Sequence, residues 1–319
     1  MQNTDNMKET KIAIGTWALG SGAFGGDAVY GIKTSEETLR PVFEAAMNEG
    51  LGLWDTATVY AMGESERILG RFVASVPREK VLVSTKFTPQ LAEMYDNSVE
   101  RMAEASMERM GIDYIDMYWI HNPMDVNRWT PGLIPLLKSG KVKKVGVSNH
   151  NIEEIHRANE ILGEEGFKVS AVQNHYSLLY RSSEKGGVLD YCKENGIQFW
   201  SYMVLEQGAL SGKYDTAHPF PEGSDRANAY GDSLAEIEEL NKALEKIAEE
   251  HGVKVAQLPI AWAIAKGTLP IVGATKTHHV EDAAEAVDIE LSADEIKTME
   301  DLADKANINT IRMWEKEMK

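Results

Sequence analysis

Residues 81–121 read VLVSTKFTPQLAEMYDNSVERMAEASMERMGIDYIDMYWIH, and this stretch predicts a strand, a helix and a second strand. The apolar runs at 81–86 and 114–120 have the length of strands. Between them, apolar residues that we expect in the core recur at helical spacing, at Val99, Met102, Ala103, Met107 and Met110. A strand, a crossover helix and a second strand in this order imply parallel pairing.

The same alternation runs along the rest of the chain. Eight strands are expected, near residues 12–16, 51–55, 81–86, 114–120, 142–147, 170–174, 197–202 and 269–272. Helices are expected near residues 35–48, 64–76, 97–110, 131–139, 151–163, 184–195 and 233–250, and further ones near 254–266, 278–286 and 293–304. Eight strand–helix units close into a (β/α)8 barrel, and an open, doubly wound sheet is the alternative.

The organisation of the chain indicates one domain, because no linker rich in Pro, Gly or Ser divides it. We therefore predict a loose N-terminal leader over residues 1–10 and a single-domain (β/α)8 TIM barrel over residues 11–319, with extra C-terminal helices and long loops at its mouth. Residues 203–232 have many Gly and Pro residues and little periodicity. A loop of that length inside a compact domain is usually functional.

Three local signals bear on the helix starts. Thr34 with Glu37, and Ser233 with Glu236, have the spacing of capping boxes. Pro259 lies inside an expected helix and should kink that helix or mark its true start.

Composition argues against several classes of protein. The net charge of −17 disfavours nucleic-acid binding, which needs a basic surface. No apolar run reaches the roughly 18 residues of a membrane-spanning helix, and the N-terminus lacks the apolar core of a signal peptide. The single cysteine, Cys192, cannot form an internal disulfide, and we expect it to be buried near a helix end. A cytoplasmic protein without membrane or nucleic-acid partners is expected.

The segment Gly20-Ser-Gly22-Ala-Phe-Gly25 matches the GxGxxG pattern of dinucleotide-binding folds. That pattern requires a helix directly after the glycines, so that the pyrophosphate meets backbone N–H groups. The first helix start that we find comes only at Thr34. A flexible loop over the barrel mouth is therefore the favoured interpretation, with a Rossmann site as the alternative.

Four chemically active residues, Asp55, Tyr60, Lys86 and His121, stand at or just beyond the ends of expected strands. Taken singly, each has a common structural explanation, such as a helix cap, a core residue or a solvated charge. Their joint placement at the end of a parallel barrel where barrel enzymes react favours catalysis. The sequence therefore predicts an enzyme.

The four residue types suit proton donation to a carbonyl oxygen. Asp55 would keep Lys86 charged, and a cationic Lys86 would lower the pKa of Tyr60. Tyr60 could then hand its proton to the oxygen of an aldehyde or ketone, while a neutral His121 donates a second hydrogen bond to it. Because protein side chains do not donate hydride, a nicotinamide cofactor is implied.

The chain resembles the aldo-keto reductase superfamily from Ile12 to about Asp301. The motifs that carry the resemblance are GTW at 15–17, DTATVY at 55–60 followed by GESE at 63–66, STK at 84–86, YIDMYWIH at 114–121, GVSN at 146–149 and QNHY at 173–176. The resemblance assigns the acid, tyrosine, lysine and histidine of the family to Asp55, Tyr60, Lys86 and His121. It implies a reversible, NADP-dependent alcohol:NADP+ oxidoreductase whose Tyr60 is the general acid.

The resemblance also implies that the cofactor lies extended across the barrel mouth. Ser148, Asn149 and Gln173 would bind the nicotinamide carboxamide, and Tyr202 would stack on the ring. Trp200, two residues earlier, is expected in the core. The remaining implied contacts are Thr16 and Trp17 after the first strand, Leu205, Gln207, Gly208 and Lys213 around the pyrophosphate, with Arg226 as a weaker candidate, and Gly273, Thr275, Lys276, His279 and Asp282 at the adenosine end.

The adenosine segment, IVGATKTHHVEDA at 271–283, departs from the family pattern. Many members carry arginine at the position of His279, asparagine at that of Ala283 and a longer acid at that of Asp282. Lys276 still favours NADPH, and NAD remains possible. The adjacent His278 and His279 do not indicate a metal, because sequential side chains on a helix diverge and no third ligand is evident.

An aromatic substrate pocket is expected at the mouth, with Trp17 and Trp129 as its walls. The pattern allows Trp119 to point either into the barrel or outward. The tail at 308–319, which includes Trp314, could fold over the opening. An aromatic pocket accepts many carbonyl compounds, so the sequence does not select one natural substrate. The alternative function is a cofactor-sensing auxiliary subunit of the same fold, and members of that group carry asparagine where this chain has His121.

Overall fold

The eight strands of the computed structural model close into a parallel barrel, in which each strand pairs with the next and β8 returns to β1. The structure describes residues 10–95 and 97–318, so residues 1–9 of the expected leader lie outside it. The strands are β1 Ala13–Gly15, β2 Leu53–Asp55, β3 Leu82–Phe87, β4 Ile115–Ile120, β5 Val142–Ser148, β6 Ala171–His175, β7 Gln198–Tyr202 and β8 Leu269–Gly273. The predicted barrel is confirmed, and the open-sheet alternative is wrong.

Helices surround the barrel and also cover its mouth. The long ones are α2 Glu36–Asn48, α3 Glu64–Val73, α5 Val99–Met110, α7 Leu133–Ser139, α8 Ile152–Gly163, α10 Val188–Glu194, α12 Leu234–His251, α13 Gln257–Ala265, α14 Thr277–Ala286 and α15 Ala293–Ala306. Short helices lie in the loops, at α1 Gly26–Tyr30, α4 Pro89–Met94, α6 Val126–Trp129, α9 Ser182–Lys185 and α11 Asp225–Tyr230. None of the described helices combines the length and apolarity needed to cross a bilayer.

The barrel interior is filled by a cluster of apolar side chains. Trp119 and Trp200 meet edge to face, with ring centroids 5.0 Å apart, and both are fully buried. The core prediction for Trp200 is confirmed, and Trp119 points inward as well. Gly146 makes room for this contact, because a Cβ there would lie 2.3 Å from the Trp119 ring. The interior cluster closes the barrel below the mouth, so the interior is a packed core rather than a channel.

A second apolar core lies between the strands and the helices. The methionines of α5, at Met102, Met107 and Met110, are buried in it, as predicted from their spacing. Cys192 is buried there as a free thiol, and burial raises its pKa to about 12. A thiol in that environment is not a nucleophile at neutral pH.

One of the two predicted capping boxes lies one residue later than expected, and the other does not form. Helix α2 is capped by Ser35, whose box partner is Thr38, while the Thr34 hydroxyl donates to the carbonyl oxygen of Ala18. Ser233 stands at the start of α12 but makes no side-chain capping bond. Pro259 lies in the first turn of α13, which begins at Gln257, so the proline marks the start of that helix.

The GxGxxG segment is a loop that packs against the turn after β2. A short helix, α1, does follow it directly, contrary to expectation. The N–H of Gly22, however, donates to the Asp27 carboxylate at 2.9 Å, so a side chain of the protein occupies the place an anion would take. The carbonyl oxygen of Phe24 accepts from Ala61 N–H, which ties this loop to the turn that carries Tyr60. The closed barrel leaves no Rossmann unit for the pattern to serve.

Candidate active site

The side chains expected to do chemistry face one another at the C-terminal ends of the strands, which we call the mouth. Side chains alternate between the two faces of a strand, so a residue two places after an interior residue also faces inward. Leu53 and Trp119 belong to the interior cluster, and Asp55 and His121 follow each of them by two positions. Lys86 lies in register with Trp119 across β3 and β4. The sheet geometry therefore points these residues inward near the mouth of the barrel.

Asp55 and Lys86 form a buried ion pair at the centre of the mouth. The Lys86 ammonium donates to the Asp55 carboxylate and to the carbonyl oxygen of Thr56, the latter at 2.8 Å. Asp55 Oδ1 also accepts from Ser84 Oγ at 2.6 Å and from Gln173 Nε2 at 3.3 Å. Burial lowers the pKa of Lys86, and the Asp55 charge opposes that effect. The pair is fixed in position because each charge has hydrogen-bonded partners inside the protein.

Tyr60 stands over this ion pair in a strained turn. The Lys86 nitrogen lies 5.2 Å from the centroid of the Tyr60 ring, and the His121 ring lies edge-on at 6.2 Å. Ala61 and Met62, which follow, have left-handed φ angles of 47° and 51°. Two consecutive non-glycine residues in that region cost backbone strain, which is common where a structure fixes a functional side chain.

The pKa of Tyr60 does not behave as expected from the sequence. Burial, reinforced by the Asp55 charge, raises it well above its usual value. The lowered pKa expected from Lys86 is not found, because burial and the Asp55 charge together outweigh the effect of the ammonium. Tyr60 therefore holds its proton across the physiological pH range, and this protonated form is the one a proton donor needs.

His121 has the neutral form that a second hydrogen bond to the carbonyl oxygen would require. Burial, together with the positive charge of Lys86, lowers its pKa to about 3. Its Nδ1 lies 3.2 Å from the Thr88 hydroxyl, and its backbone N–H donates to the carbonyl oxygen of Phe87. An imidazole held through Nδ1 leaves Nε2 as the atom available for a ligand at the mouth.

The residues expected to bind a carboxamide meet at the ends of β5, β6 and β7. Ser148 and Gln173 lie in register across β5 and β6. Asn149 follows with a left-handed φ of 63°, and its Nδ2 donates to the carbonyl oxygen of His121 at 3.0 Å. Tyr202 Oη lies 2.6 Å from Asn149 Oδ1. Asn149 thus links the expected carboxamide residues directly to His121.

A sequence model of the Aldo/keto reductase family matches residues 11–304, which is nearly the whole chain. The chain belongs to the aldo/keto reductase family. It is similar to the chloroplastic pyridoxal reductase of Arabidopsis thaliana, with 30% identity over 91% of this chain and 83% of that protein. It is also similar to the NADP(+)-designated aldo-keto reductase yakc of Schizosaccharomyces pombe, with 31% identity over 91% and 89% of the two chains.

A solved aldo-keto reductase from Klebsiella pneumoniae in complex with NADPH has a similar fold, with a TM-score of 0.72 and 25% identity over 96% of this chain and 94% of that one. The present aldo-keto reductase is thus an oxidoreductase with the family's TIM barrel. In the described part of the chain, no group of His, Cys, Asp and Glu has the composition of a metal site.

The loop after β7 carries the residues expected near a pyrophosphate. It is a tight turn over Glu206–Ser211, in which Gln207 has φ 54° and Gly208 has φ 98°. Leu205 closes this turn, since its carbonyl oxygen accepts from Gly208 N–H. Buried Arg226 donates to the carbonyl oxygen of Gln207 at 3.1 Å. The arginine therefore supports the loop from beneath.

The adenosine end gathers positive charge in an acidic protein. Burial and the neighbouring His278, Lys276 and Lys213 lower the pKa of His279 to about 4. His279 Nδ1 accepts from Thr275 N–H at 3.3 Å, just before the start of α14. Lysines beside a helix N-terminus are a donor set that suits a phosphate group. Gly273 ends β8 beside this cluster and faces open space, since a Cβ added there would meet no atom within 4 Å.

Three predicted ligand contacts are engaged elsewhere. The buried Thr16 hydroxyl donates to the carbonyl oxygen of Asp55 at 3.0 Å and accepts from Ser65, so it supports the site from within. Asp282 Oδ1 lies 2.5 Å from Lys254 Nζ in an ion pair. An adenine amine that binds Asp282 would therefore compete with Lys254 for the carboxylate. Trp129 is buried in the outer core. Its ring packs against another core ring 5.0 Å away, so a pocket role for Trp129 is not supported.

Trp17 does line the mouth. Its ring stacks on Tyr60 at 5.6 Å with an interplanar angle of 17°, and Trp314 meets it edge-on at 5.8 Å. The C-terminal tail, residues 308–318 in the structure, therefore reaches Trp17, and the position that the sequence left open is over the mouth. Trp314, rather than Trp129, is the second tryptophan beside Trp17.

A buried charged cluster beneath the tail escaped the sequence reasoning. His175 lies between Glu206 and Glu315, with nitrogen–oxygen distances of 2.8 and 3.0 Å. His175 lies inside the quoted motif QNHY, and Glu206 lies between Leu205 and Gln207, two of the expected pyrophosphate contacts. Nothing in the sequence signalled Glu315, because the tail that carries it has no periodic pattern.

Proposed function

We propose that the protein is an NADPH-dependent reductase that converts an aldehyde or ketone to an alcohol, reversibly, with Tyr60 as the general acid. The observation that carries this proposal is the grouping of a protonated Tyr60, the Asp55–Lys86 ion pair and a neutral His121 at the barrel mouth. Such a group can donate a proton and a hydrogen bond to one oxygen atom.

Each residue has a distinct part in the proposed reaction. Tyr60 gives its proton to the developing alkoxide, and His121 donates from Nε2 to orient the carbonyl oxygen. Lys86 stabilises the negative charge that forms on the tyrosine, and Asp55 keeps the ammonium in place. NADPH, when bound, would supply the hydride to the carbonyl carbon.

The proposed cofactor contacts run across the mouth from β5 to α14. Ser148, Asn149 and Gln173 would hold the carboxamide, and Tyr202 would stack on the nicotinamide. The loop at Leu205–Gly208 with Lys213 would cover the pyrophosphate. Lys276, Thr275 and His279 would hold the 2′-phosphate, while Gly273 leaves space for the adenosine. NADH would use the same surface without the phosphate contacts.

Replacing Lys276 by alanine should separate the two cofactors. Only NADPH carries the 2′-phosphate, so Lys276→Ala should weaken NADPH about tenfold, the loss of one charge-assisted contact, and leave NADH nearly unchanged. Titration calorimetry with each cofactor measures both constants. Lys246→Ala, at an exposed lysine of α12, is the control. Equal losses for NADPH and NADH would mean that no 2′-phosphate is held at Lys276.

The pH dependence of reduction should be flat around neutrality. The pKa of His121 is about 3 and that of Tyr60 is raised, so neither group changes its proton between about pH 5 and pH 9. With NADPH saturating, the reduction rate should fall only toward the pKa of His121 on the acid side. Single-turnover rates across this range measure it. A rate that declines between pH 7 and pH 9 would show that Tyr60, or Lys86 with its lowered pKa, loses its proton in that range.

The direct test of the proposed function is a carbonyl screen with each cofactor. NADPH absorbance is followed with sugars, aromatic aldehydes and bulky ketones as candidate substrates. The proposal expects cofactor consumption with at least one class. Tight NADPH binding without consumption across the screen would favour the alternative of a cofactor-sensing auxiliary subunit.

A further inference from the structure

The C-terminal tail is clamped onto the mouth by several independent contacts. The Tyr180 hydroxyl donates to the carbonyl oxygen of Lys316 at 3.2 Å, and Met318 N–H donates to Ser182 Oγ at 2.8 Å. Gly186 leaves room for the chain end, because a Cβ there would lie 1.6 Å from the Met318 carbonyl oxygen. The tail therefore has a shaped seat on the loop after β6.

Glu315 is the charged centre of this seat. Its side chain is 1% exposed, although it lies only four residues from the chain end. Glu315 Oε2 accepts from His175 Nδ1 at 3.0 Å and from Arg312 N–H at 2.9 Å. A buried carboxylate without such partners would cost several kcal/mol, so these contacts decide whether the tail can sit there.

His175 satisfies two buried carboxylates at once. Its Nε2 lies 2.8 Å from Glu206 Oε1, and Glu206 also accepts from Ser177 and from Tyr230, the latter at 2.6 Å. Only an imidazolium donates from both ring nitrogens. Burial lowers the pKa of His175, but Glu206 and Glu315 outweigh burial and raise it to about 9. The cluster is therefore a charged anchor at neutral pH.

The second carboxylate oxygen of Glu315 contacts Tyr202, one of the expected nicotinamide residues. Glu315 Oε1 lies 2.8 Å from Tyr202 Oη, which also lies 2.6 Å from Asn149 Oδ1. Asn149 in turn donates to the carbonyl oxygen of His121. The Tyr202 hydroxyl carries one proton, so it donates to one of its two acceptors, Glu315 and Asn149, at a time, and the carboxylate of Glu315 is the stronger acceptor. The neighbouring Trp314 contacts Trp17, which lies in the loop after β1.

We propose that Glu315 is a positioning residue of the nicotinamide site, which accepts from the Tyr202 hydroxyl and so fixes the ring of Tyr202. The tail is then one wall of the cofactor site and favours binding. This inference rests on the proposed function, because it assigns Tyr202 and Asn149 to the nicotinamide. Glu315 touches neither substrate nor reacting atoms and acts through Tyr202.

The test is a binding cycle built from Glu315→Gln and Tyr202→Phe. Glu315→Gln keeps the shape but removes the charge that holds His175, and it should raise the Kd for NADPH about tenfold by titration calorimetry. Tyr202→Phe should raise it similarly. The double variant should be no weaker than either single one, because both changes remove the same link. Glu317→Gln, at an exposed residue two positions on, should leave the Kd unchanged.

Four outcomes would overturn the inference: an unchanged Kd for Glu315→Gln, tighter binding, losses that add in the double variant, or an equal loss in Glu317→Gln. Tighter binding would make the tail a competitor of the cofactor. If Glu315→Gln fails to fold by circular dichroism, Glu315→Asp, which keeps the charge for His175 but is one methylene short of Tyr202, takes its place with the same expected loss. Failure of the wild type to bind NADPH would instead refute the proposed function.

Discussion

Tyr60→Phe is expected to abolish measurable carbonyl reduction while NADPH still binds. The substitution removes only the hydroxyl, so the stacking with Trp17 and the contact with Lys86 remain. Loss of a general acid costs about 10²–10⁴ in rate. In the proposed arrangement, His121 is the other described residue that donates to the carbonyl oxygen, and its neutral ring is a weak acid. Turnover and the NADPH Kd are measured on the same preparation.

The matched control for this variant is Tyr95→Phe, which removes the same atom from an exposed residue of the loop after β3. Its turnover should equal that of the wild type. A Tyr60→Phe protein that still reduces carbonyls would remove Tyr60 from its assigned role. A Tyr60→Phe protein that no longer binds NADPH would show that the hydroxyl serves binding instead.

Lys86→Met is expected to lower turnover by at least two orders of magnitude, within the general acid–base range of about 10²–10⁴. The methionine cannot stabilise the tyrosinate that forms as Tyr60 gives up its proton. The substitution also leaves the buried Asp55 carboxylate without its cation, which should cost about 3–5 kcal/mol of stability. Turnover is measured below the melting transition, with thermal unfolding followed separately.

A second variant separates the catalytic loss from the stability loss. Lys86→Met combined with Asp55→Asn removes both charges, so much of the stability should return while turnover stays low. Lys246→Met, at an exposed helical lysine, should change neither property. Turnover that recovers together with stability would contradict the electrostatic role of Lys86.

The sequence predicted the barrel well because its strands are buried on both faces. Parallel strands with that environment give short apolar runs, and every predicted strand overlaps an observed one. The meeting of Asp55, Tyr60, Lys86 and His121 was also predictable, since the strand ends of a parallel barrel share one rim. The sequence was less informative about which of two neighbouring residues caps a helix. Thr34 and Ser35 are both good caps, and only the bond from the Thr34 hydroxyl to the Ala18 carbonyl oxygen decides for Ser35.

The direction of the Tyr60 pKa could not be read from the sequence. Pairing Tyr60 with Lys86 considers one charge, while the folded protein sets Asp55 against that charge and removes water from the phenol. Burial and charge compensation are properties of the whole site. The sequence could name the partners but could not sum their effects.

The contacts of the tail were also hidden. Glu315 and His175 are 140 positions apart, and each is an ordinary residue in its own segment. Trp129 shows the opposite error. Its position after His121 suggested the mouth, but α6 turns its ring into the outer core. Long-range packing of loops and chain ends follows from shape, which no local pattern records.

Transfer of deuterium from 4-deuterated NADPH tests the central claim most directly. Single turnovers with a carbonyl found in the screen are quenched, and the alcohol is analysed by mass spectrometry for the wild type and Tyr60→Phe. The account predicts deuterium on the carbinol carbon with the wild type and none above background with Tyr60→Phe. An alcohol formed without the label, or equal labelling by the two proteins, would contradict it.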